Sequence, residues 1–437
     1  MQTSEKPSGK MNKAEANRAL FAIMLLTLLS VAGIAMPFPI LTPLMLDTPG
    51  NQLSQFMGIH PNILLAIILA TYPLGMFIGS SFIGSLSDIY GRRKVLVFTT
   101  LLSAISYGFA AYAIVQESFL LLLVARMITG VCEGNVSVAR TMTTDLHPMI
   151  DKTRSMSLVY AVMYSGWLIG PLMGGYMMLL GADIAFILAG LLMLFALTVV
   201  ILFIPETNTS SQQDKHQGSY NVLQLAIRSN SLTLLKHRKI RHLFIQYLLI
   251  MLGLNAFYEF YPVWLVESFN FDSVGIGHAT AVVTFFMILS SLFVLEKLKN
   301  RLSAKNVIIL GLSVFAILQF FTLSMNDDLL YPFFAVSGAF IALFNVLMPL
   351  FYSERFSQGE PGKMFGLTTS TFCLGSFIIA LVGGVISVMG AAWTLVTGGA
   401  LTLIGMLYFV WLFRSDEAES ENVEQMEKNL SPAEQEQ

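Results

Sequence analysis

Charged side chains are so unevenly spread along this sequence that they cut it into long uncharged runs. No Asp, Glu, Lys or Arg occurs between Arg18 and Asp47, between Asp47 and Asp88, or between Lys363 and Arg414. About 20 consecutive apolar residues are enough to carry a helix across the hydrocarbon core of a bilayer. Each of these runs therefore holds at least one membrane span. Composition agrees, because 12% of the 437 residues are charged where a soluble domain carries about 25%. The chain reads as an all-α, multi-pass membrane protein.

The remaining runs complete the count. The first span lies between Arg18 and Asp47, and Pro37, Pro39 and Pro43 should break or bend its far end. A loop from Asn51 to Asn62 precedes the second span, and the third runs from Val95 to about Val115. The fourth is Leu120–Thr143, the fifth fits between Arg154 and Asp183, and the sixth between Asp183 and Glu206. After a polar segment, the seventh follows Arg241 and the eighth lies between Asp272 and Glu296. The ninth fits between Lys305 and Asp327, and the tenth between Asp328 and Glu354. The last run is long enough for two helices with a turn near Met389–Trp393. Twelve spans result, and they divide the chain into five parts. These are an N-terminal segment 1–18, a six-helix bundle 19–205, a linker 206–241, a second bundle 242–414 and an acidic tail 415–437 expected to be disordered. The latter half of the linker mixes Leu and Ile with Lys and Arg, which fits an interfacial helix as well as a solvated connection.

Topology follows from the basic residues. Arg92–Lys94, Lys152 and Arg154, Lys236–Arg241, Lys297–Lys305, and Arg355 with Lys363 all fall on one side of a twelve-span chain. The opposite loops near Gln116, Phe269 and Met325 hold no Lys or Arg. The positive-inside rule then places both termini in the cytoplasm. The apolar run after Arg18 is too long for a signal-peptide core and should stay as a span. The two cysteines, Cys132 and Cys373, suggest neither a disulfide framework nor a metal site.

An internal repeat divides the spans into halves. GWLIGPLMGG from Gly166 and GSFIIALVGG from Gly375 share glycines at their first, ninth and tenth positions. The same offset carries the basic loop 84–94 onto 293–303 and Arg154 onto Lys363. Paired halves of this kind are typical of secondary transporters.

The fourth span carries Arg126, Glu133 and Arg140 at seven-residue intervals. On an α-helix such residues share one stripe, each about 10.5 Å from the next along the axis. A charge at the bilayer centre costs at least ~2.5–3.5 kcal/mol. Three on one stripe therefore face a water-filled cavity or a protein interior. Desolvation favours the protonated Glu133 carboxyl. Each arginine favours the carboxylate by roughly 1.6 kcal/mol at an effective dielectric of about 20. That opposition suits a proton carrier, although a permanently ionised structural partner of an arginine would use the same residues. The seventh span carries the other intramembrane acid, Glu259, with Asn255, Tyr258 and Tyr261 beside it. These are candidates for contact with a ligand, or belong to an outer gate and the aromatic belt.

Three motifs point to one family. The loop after the second span reads Gly84-x-Leu86-x-Asp88-x-x-Gly91-Arg92-Arg93-Lys94. It resembles the signature of the major facilitator superfamily, with Ile89 where many members have a basic residue. The resemblance implies twelve helices in two six-helix halves and a cytoplasmic latch built on Gly84, Asp88, Gly91, Arg92 and Arg93. Arg126 followed by Gly130 resembles the family's second signature, in which the arginine is tied to proton coupling; Thr129 stands where Gln is frequent. The fifth span holds Gly166, Gly170, Pro171, Gly174 and Gly175, the pattern Gly-x-x-x-Gly-Pro-x-x-Gly-Gly. It is similar to the antiporter motif of twelve-span drug:proton exporters, and the Pro205–Thr207 ending of the sixth span is also usual there. The resemblance also implies that spans one, four, seven and ten line a central cavity.

The reading that results is a proton-coupled antiporter exporting a small amphiphilic molecule or drug by alternating access. Arg126, Glu133 and Arg140 serve proton coupling, and Glu259, Asn255 and Tyr258 line the substrate cavity. The alternatives are a same-fold symporter or facilitator for a polar metabolite, or an exporter of a siderophore-like carboxylate. A sensor or scaffold has no use for paired charges on cavity helices. No nucleophile–base set, phosphate-binding loop or metal cluster suggests an enzyme or ATP-driven pump. No cofactor is implied, since the proton gradient supplies the energy. The expected partners are substrate, protons and lipid, with no nucleic acid. The chain is expected to be a monomer in a bacterial inner membrane.

Overall fold

The computed structural model describes residues 12–46, 51–150, 152–206, 231–356 and 361–414. Among these, twelve helical segments are long and apolar enough to cross a membrane. They are α1 (Lys13–Leu46), α2 (Pro61–Ser80), α3 (Arg92–Val115), α4 (Phe119–Thr143), α5 (Leu158–Met178) and α6 (Ala182–Phe203). The second half continues with α7 (Arg238–Phe269), α8 (Ser273–Leu298), α9 (Ala304–Ser324), α10 (Asp327–Tyr352), α11 (Gly366–Ser387) and α12 (Ala391–Leu412). No strand occurs among the described residues.

Local sequence explains the ends and breaks. Asn12 and Glu15 form a reciprocal capping box at the start of α1, satisfying two backbone donors left over at any helix N-terminus. The helix breaks at Met36–Pro37 and resumes at Phe38, where the prolines deny it backbone donors. The fourth span is also in two pieces, with Glu133 closing Phe119–Cys132 and Gly134 opening the next. Helix α7 starts at Arg238, so it takes in the end of the basic cluster assigned to the linker. The turn between α11 and α12 is at residues 388–390, where Gly390 has φ +118°. Ser231–Lys236 form a short 3-10 turn. Residues 207–230, which hold only the first part of the stretch that fits an interfacial helix, and the acidic tail from Ser415 lie outside the described residues; the rest of that stretch is this turn and the start of α7.

The packing repeats itself. In the first half α1 packs on α5 and α6, α2 on α4, and α3 on α4 and α6. Adding six to each number gives the pairs of the second half: α7 on α11 and α12, α8 on α10, and α9 on α10 and α12. The halves meet through α2 against α11 and α5 against α8. The last glycine of each repeat sits on one of these seams. A Cβ on Gly175 would lie 2.6 Å from the Ser273 carbonyl oxygen of α8, and one on Gly384 would overlap Ala66 of α2.

Apolar side chains also cover the outside. Along α3, Phe98, Leu101, Ile105, Phe109 and Tyr112 are exposed at spacings of three and four, which puts them on one helical face. Ile404, Leu407 and Trp411 do the same on α12. A soluble surface does not carry such continuous stripes. They face lipid.

Candidate functional site at the junction of the two halves

Close backbone contact between α2 and α4 sets up the site. A Cβ on Gly75 would lie 2.5 Å from the Met127 carbonyl oxygen, and one on Gly130 would strike the carbonyl oxygen of Tyr72. With glycine at both places the helices touch main chain to main chain. The Tyr72 ring then sits against Arg126, whose guanidinium carbon is 4.8 Å from the ring centroid. This is a cation–π contact in a desolvated place, where such contacts are strongest.

Arg126 is 6% exposed, and its Nε and Nη1 have no hydrogen-bond partner among the described residues. Among the described residues no ion pair joins it to an acid, yet Glu133 on its own helix and Glu259 on α7 both lie within electrostatic range. Glu133 also has Arg140 in range. Thus the two intramembrane acids, one from each half, both act on one buried guanidinium at longer range. Thr129 is tied into the same region, its hydroxyl 2.9 Å from the Ala125 carbonyl and 3.0 Å from the Ser106 hydroxyl of α3.

On the other side of the site, Glu259 is half-buried and accepts a 2.7 Å hydrogen bond from Ser376 of α11. Its neighbours have partners of their own. Asn255 is 1% exposed, and its amide nitrogen donates to the carbonyls of Met251 and, on α11, Phe372. Its amide nitrogen is engaged in helix packing. Tyr258 is half-buried with its hydroxyl toward the Met287 sulfur, and Tyr261 is fully buried and bonded to Thr280.

The five residues of the glycine motif lie along α5. Gly166 faces Val31, Gly170 the Ala32 carbonyl oxygen at 2.5 Å from a notional Cβ, and Gly174 the Met36 carbonyl. These three seat α5 on α1 up to its break, whereas Gly175 faces the other half. Pro171 lies inside the helix and its carbonyl meets Gly277 of α8.

The loop motif sits at the end of the molecule that carries the basic loops. Gly91 has φ +97°, and Arg92 pairs with Asp145 beyond α4. Glu206, at the end of α6, accepts the backbone N–H groups of Arg92 and Arg93 at 2.9 and 3.2 Å. A carboxylate there meets both the free donors and the positive end of the α3 dipole. Gly84 and Asp88 are in the helix of α2, but the surroundings of Gly84 and the side chain of Asp88 lie outside what is described.

At the opposite end, contacts cross between the halves. Asn62 of α2 donates to Glu267 at the end of α7 at 2.9 Å and to the Ser387 carbonyl of α11 at 3.0 Å. The other Glu267 oxygen accepts from the Ala391 N–H at the start of α12 at 2.8 Å. Tyr176 of α5 bonds His278 of α8 at 3.0 Å, and the Phe38 and Tyr261 rings lie 5.6 Å apart. Sequence reasoning did not single out Tyr72, Ser376, Asn62 or Glu267. The single signal available was a lone polar residue in an apolar run.

Among the described residues no group of three or more His, Cys, Asp or Glu could hold a metal ion.

Comparison with known proteins agrees with the fold. The sequence profile described as Major Facilitator Superfamily matches residues 23–294 and 243–435. The class H tetracycline resistance protein of Pasteurella multocida is 25% identical over 68% of this chain and 71% of its own length. The quinolone resistance protein NorA of Staphylococcus aureus is 23% identical over 84% of this chain and 89% of its own. Among solved structures, the nucleoside transporter NupG superposes with TM-score 0.71 at 14% identity, covering 90% of this chain and 99% of that one. The human organic anion transporter MFSD10 gives TM-score 0.65 at 18% identity, with 90% and 99% covered. At these identities the structures speak for the fold.

Proposed function

This chain belongs to the major facilitator superfamily and is a membrane transporter, not an enzyme, and we propose that it is a proton-coupled antiporter exporting a small amphiphilic molecule. The observation that carries the proposal is the buried Arg126 at the junction of the halves, stacked on Tyr72 with two nitrogens free of hydrogen bonds among the described residues, and with Glu133 and Glu259 within electrostatic range. A buried charge without a full partner is costly, so the cluster favours states in which a proton or a substrate group completes it. Binding substrate in exchange for a proton, and the reverse, follows from that competition. The relatives' names support export of drugs, tetracyclines and quinolones being the compounds named.

In this reading the halves rock about the site, and the contacts of Asn62, Glu267, Tyr176 and His278 close the outer side. The basic end is cytoplasmic, both termini are inside, and the monomer in a bacterial inner membrane is the working unit. The motif from Gly166 to Gly175 supports antiport over symport. A second substrate class has one observation in its favour. The two unpartnered nitrogens of Arg126 suit a compound that brings its own carboxylate, such as a siderophore-like acid.

The test is substrate-induced proton release by purified protein across a panel that includes a tetracycline, a quinolone and a hydroxycarboxylate siderophore. Release by the wild type and its loss in Glu133→Gln establish exchange through Glu133. Unchanged release in that variant, with loss in Glu259→Gln, moves the carrier to α7. Binding without release in any form overturns antiport in favour of a facilitator.

A further inference from the structure

The basic cluster at the start of α7 and the acidic tail play no part in the exchange site, and they meet at one end of the molecule. Lys236, Arg238, Lys239 and Arg241, with His237 among them, are all exposed. Among the described residues no salt bridge takes up any of the four. The tail from Ser415 holds eight of the chain's 27 Asp and Glu but one of its 25 Lys and Arg. Helix packing fixes where that tail leaves. Helices α7 and α12 run antiparallel side by side, for Gln246 donates to the Gly405 carbonyl at 3.1 Å and His242 Nδ1 lies 2.6 Å from the Tyr408 hydroxyl. One turn beyond His242, Arg238 comes level with the end of α12 at Leu412. The exit is pinned there. Lys305 of α9 donates to the Phe413 carbonyl at 2.9 Å, and the Phe413 ring packs on Phe351 at 5.0 Å.

We propose that the basic collar Lys236–Arg241 is a docking surface for the chain's own acidic tail, residues 415–437. Docking of this kind holds whatever compound is transported. The reach is ample, because packed helices lie about 8–10 Å apart and extended chain spans ~3.3–3.6 Å per residue. Asp416 and Glu417, three and four residues past Phe413, therefore already reach Arg238, and Glu419 and Glu421 follow them. Exposed ion pairs are individually weak. A short tether, however, holds these acids beside the collar at an effective concentration in the millimolar range, and several opposite charges face each other at once. Topology asks for basic residues on this side, whereas acids contribute little to it. The positive-inside rule thus accounts for the collar and leaves the acids issuing beside it without a role. Anionic lipid headgroups are the competing occupant, since basic segments at the membrane surface attract them; the acids placed at the collar's edge favour the tail.

Spin labels at Val423 in the tail and at Ile245, which is exposed on α7, read the docking in the full-length protein. In phosphatidylcholine nanodiscs at low salt, the distance distribution is expected to hold a narrow, short component. Combining Lys236→Gln, Arg238→Gln, Lys239→Gln and Arg241→Gln should abolish it. So should about 1 M salt, where the screening length falls to ~3 Å. The four side chains are exposed, so an unchanged thermal unfolding midpoint is expected to show the variant folded. A charge swap, with the same four changed to Glu and Asp416, Glu417, Glu419 and Glu421 changed to Lys, should restore the short component. A distribution equally broad in the wild type and the Gln variant overturns the proposal. A narrow component that survives the Gln substitutions places the tail elsewhere and overturns it too. If the component is present in phosphatidylcholine but lost when phosphatidylglycerol is added, the collar belongs to lipid headgroups and the tail is not its occupant.

Discussion

A Cβ at position 130 would collide with the Tyr72 carbonyl oxygen, so the second residue of the Arg126–Gly130 pair acts through another helix. Glycine there lets α2 lie on α4, and only then can the Tyr72 ring reach the guanidinium. Gly130→Ala is expected to destabilise the protein by about 1–3 kcal/mol through overpacking. It should also lower proton release, because Arg126 loses its support. Thermal unfolding in detergent measures the first effect. Gly108→Ala is the control, since nothing lies within 4 Å of its notional Cβ. Arg126→Lys should not rescue function, because an ammonium lacks the planar group that stacks on Tyr72.

Helix ends give the next set of expectations. The N-terminus of α3 has no side-chain cap of its own and no acid in its first turn; Glu206 serves it from the end of α6. Glu206→Ala is expected to cost about 1 kcal/mol, the usual worth of a lost cap, and thermal unfolding should show it. At the other end, Asn62 ties α2 to both α7 and α11 through one amide. Asn62→Ala should weaken closure at that end and shift the population toward a form open there. Spin labels at His60 and Val388 would report a longer distance in the variant. An unchanged distance distribution would assign closure to the Tyr176–His278 and ring contacts instead.

Over the whole molecule, the repeated packing predicts equivalence between distant positions. Gly175 and Gly384 are corresponding residues of the repeat, and each closes one of the two seams. Leucine at either place wedges the halves apart, so both variants should lose transport to a similar degree while keeping their helix content by circular dichroism. A large difference between them would show that the seams do not move together. Which structures were legible beforehand follows the same physics. The twelve spans, the break at Met36–Pro37 and the turn before Ala391 are written in uncharged runs, prolines and glycines. Any such run must meet lipid or protein whatever its neighbours are, so the partition of charge along the chain determined the spans, and the repeated glycines and basic loops their grouping into halves. The charged stripe of α4 and Glu259 stood out for the same reason, as charges where none should be. Tertiary structure alone decided what those charges touch. Ser376 and Glu259 are 117 residues apart, and Asn62 meets Glu267 across 205. A single hydroxyl or amide in an apolar run has no periodicity to betray it. Its partner is fixed by where helices cross, and the crossing is set by glycines pressed against distant backbone.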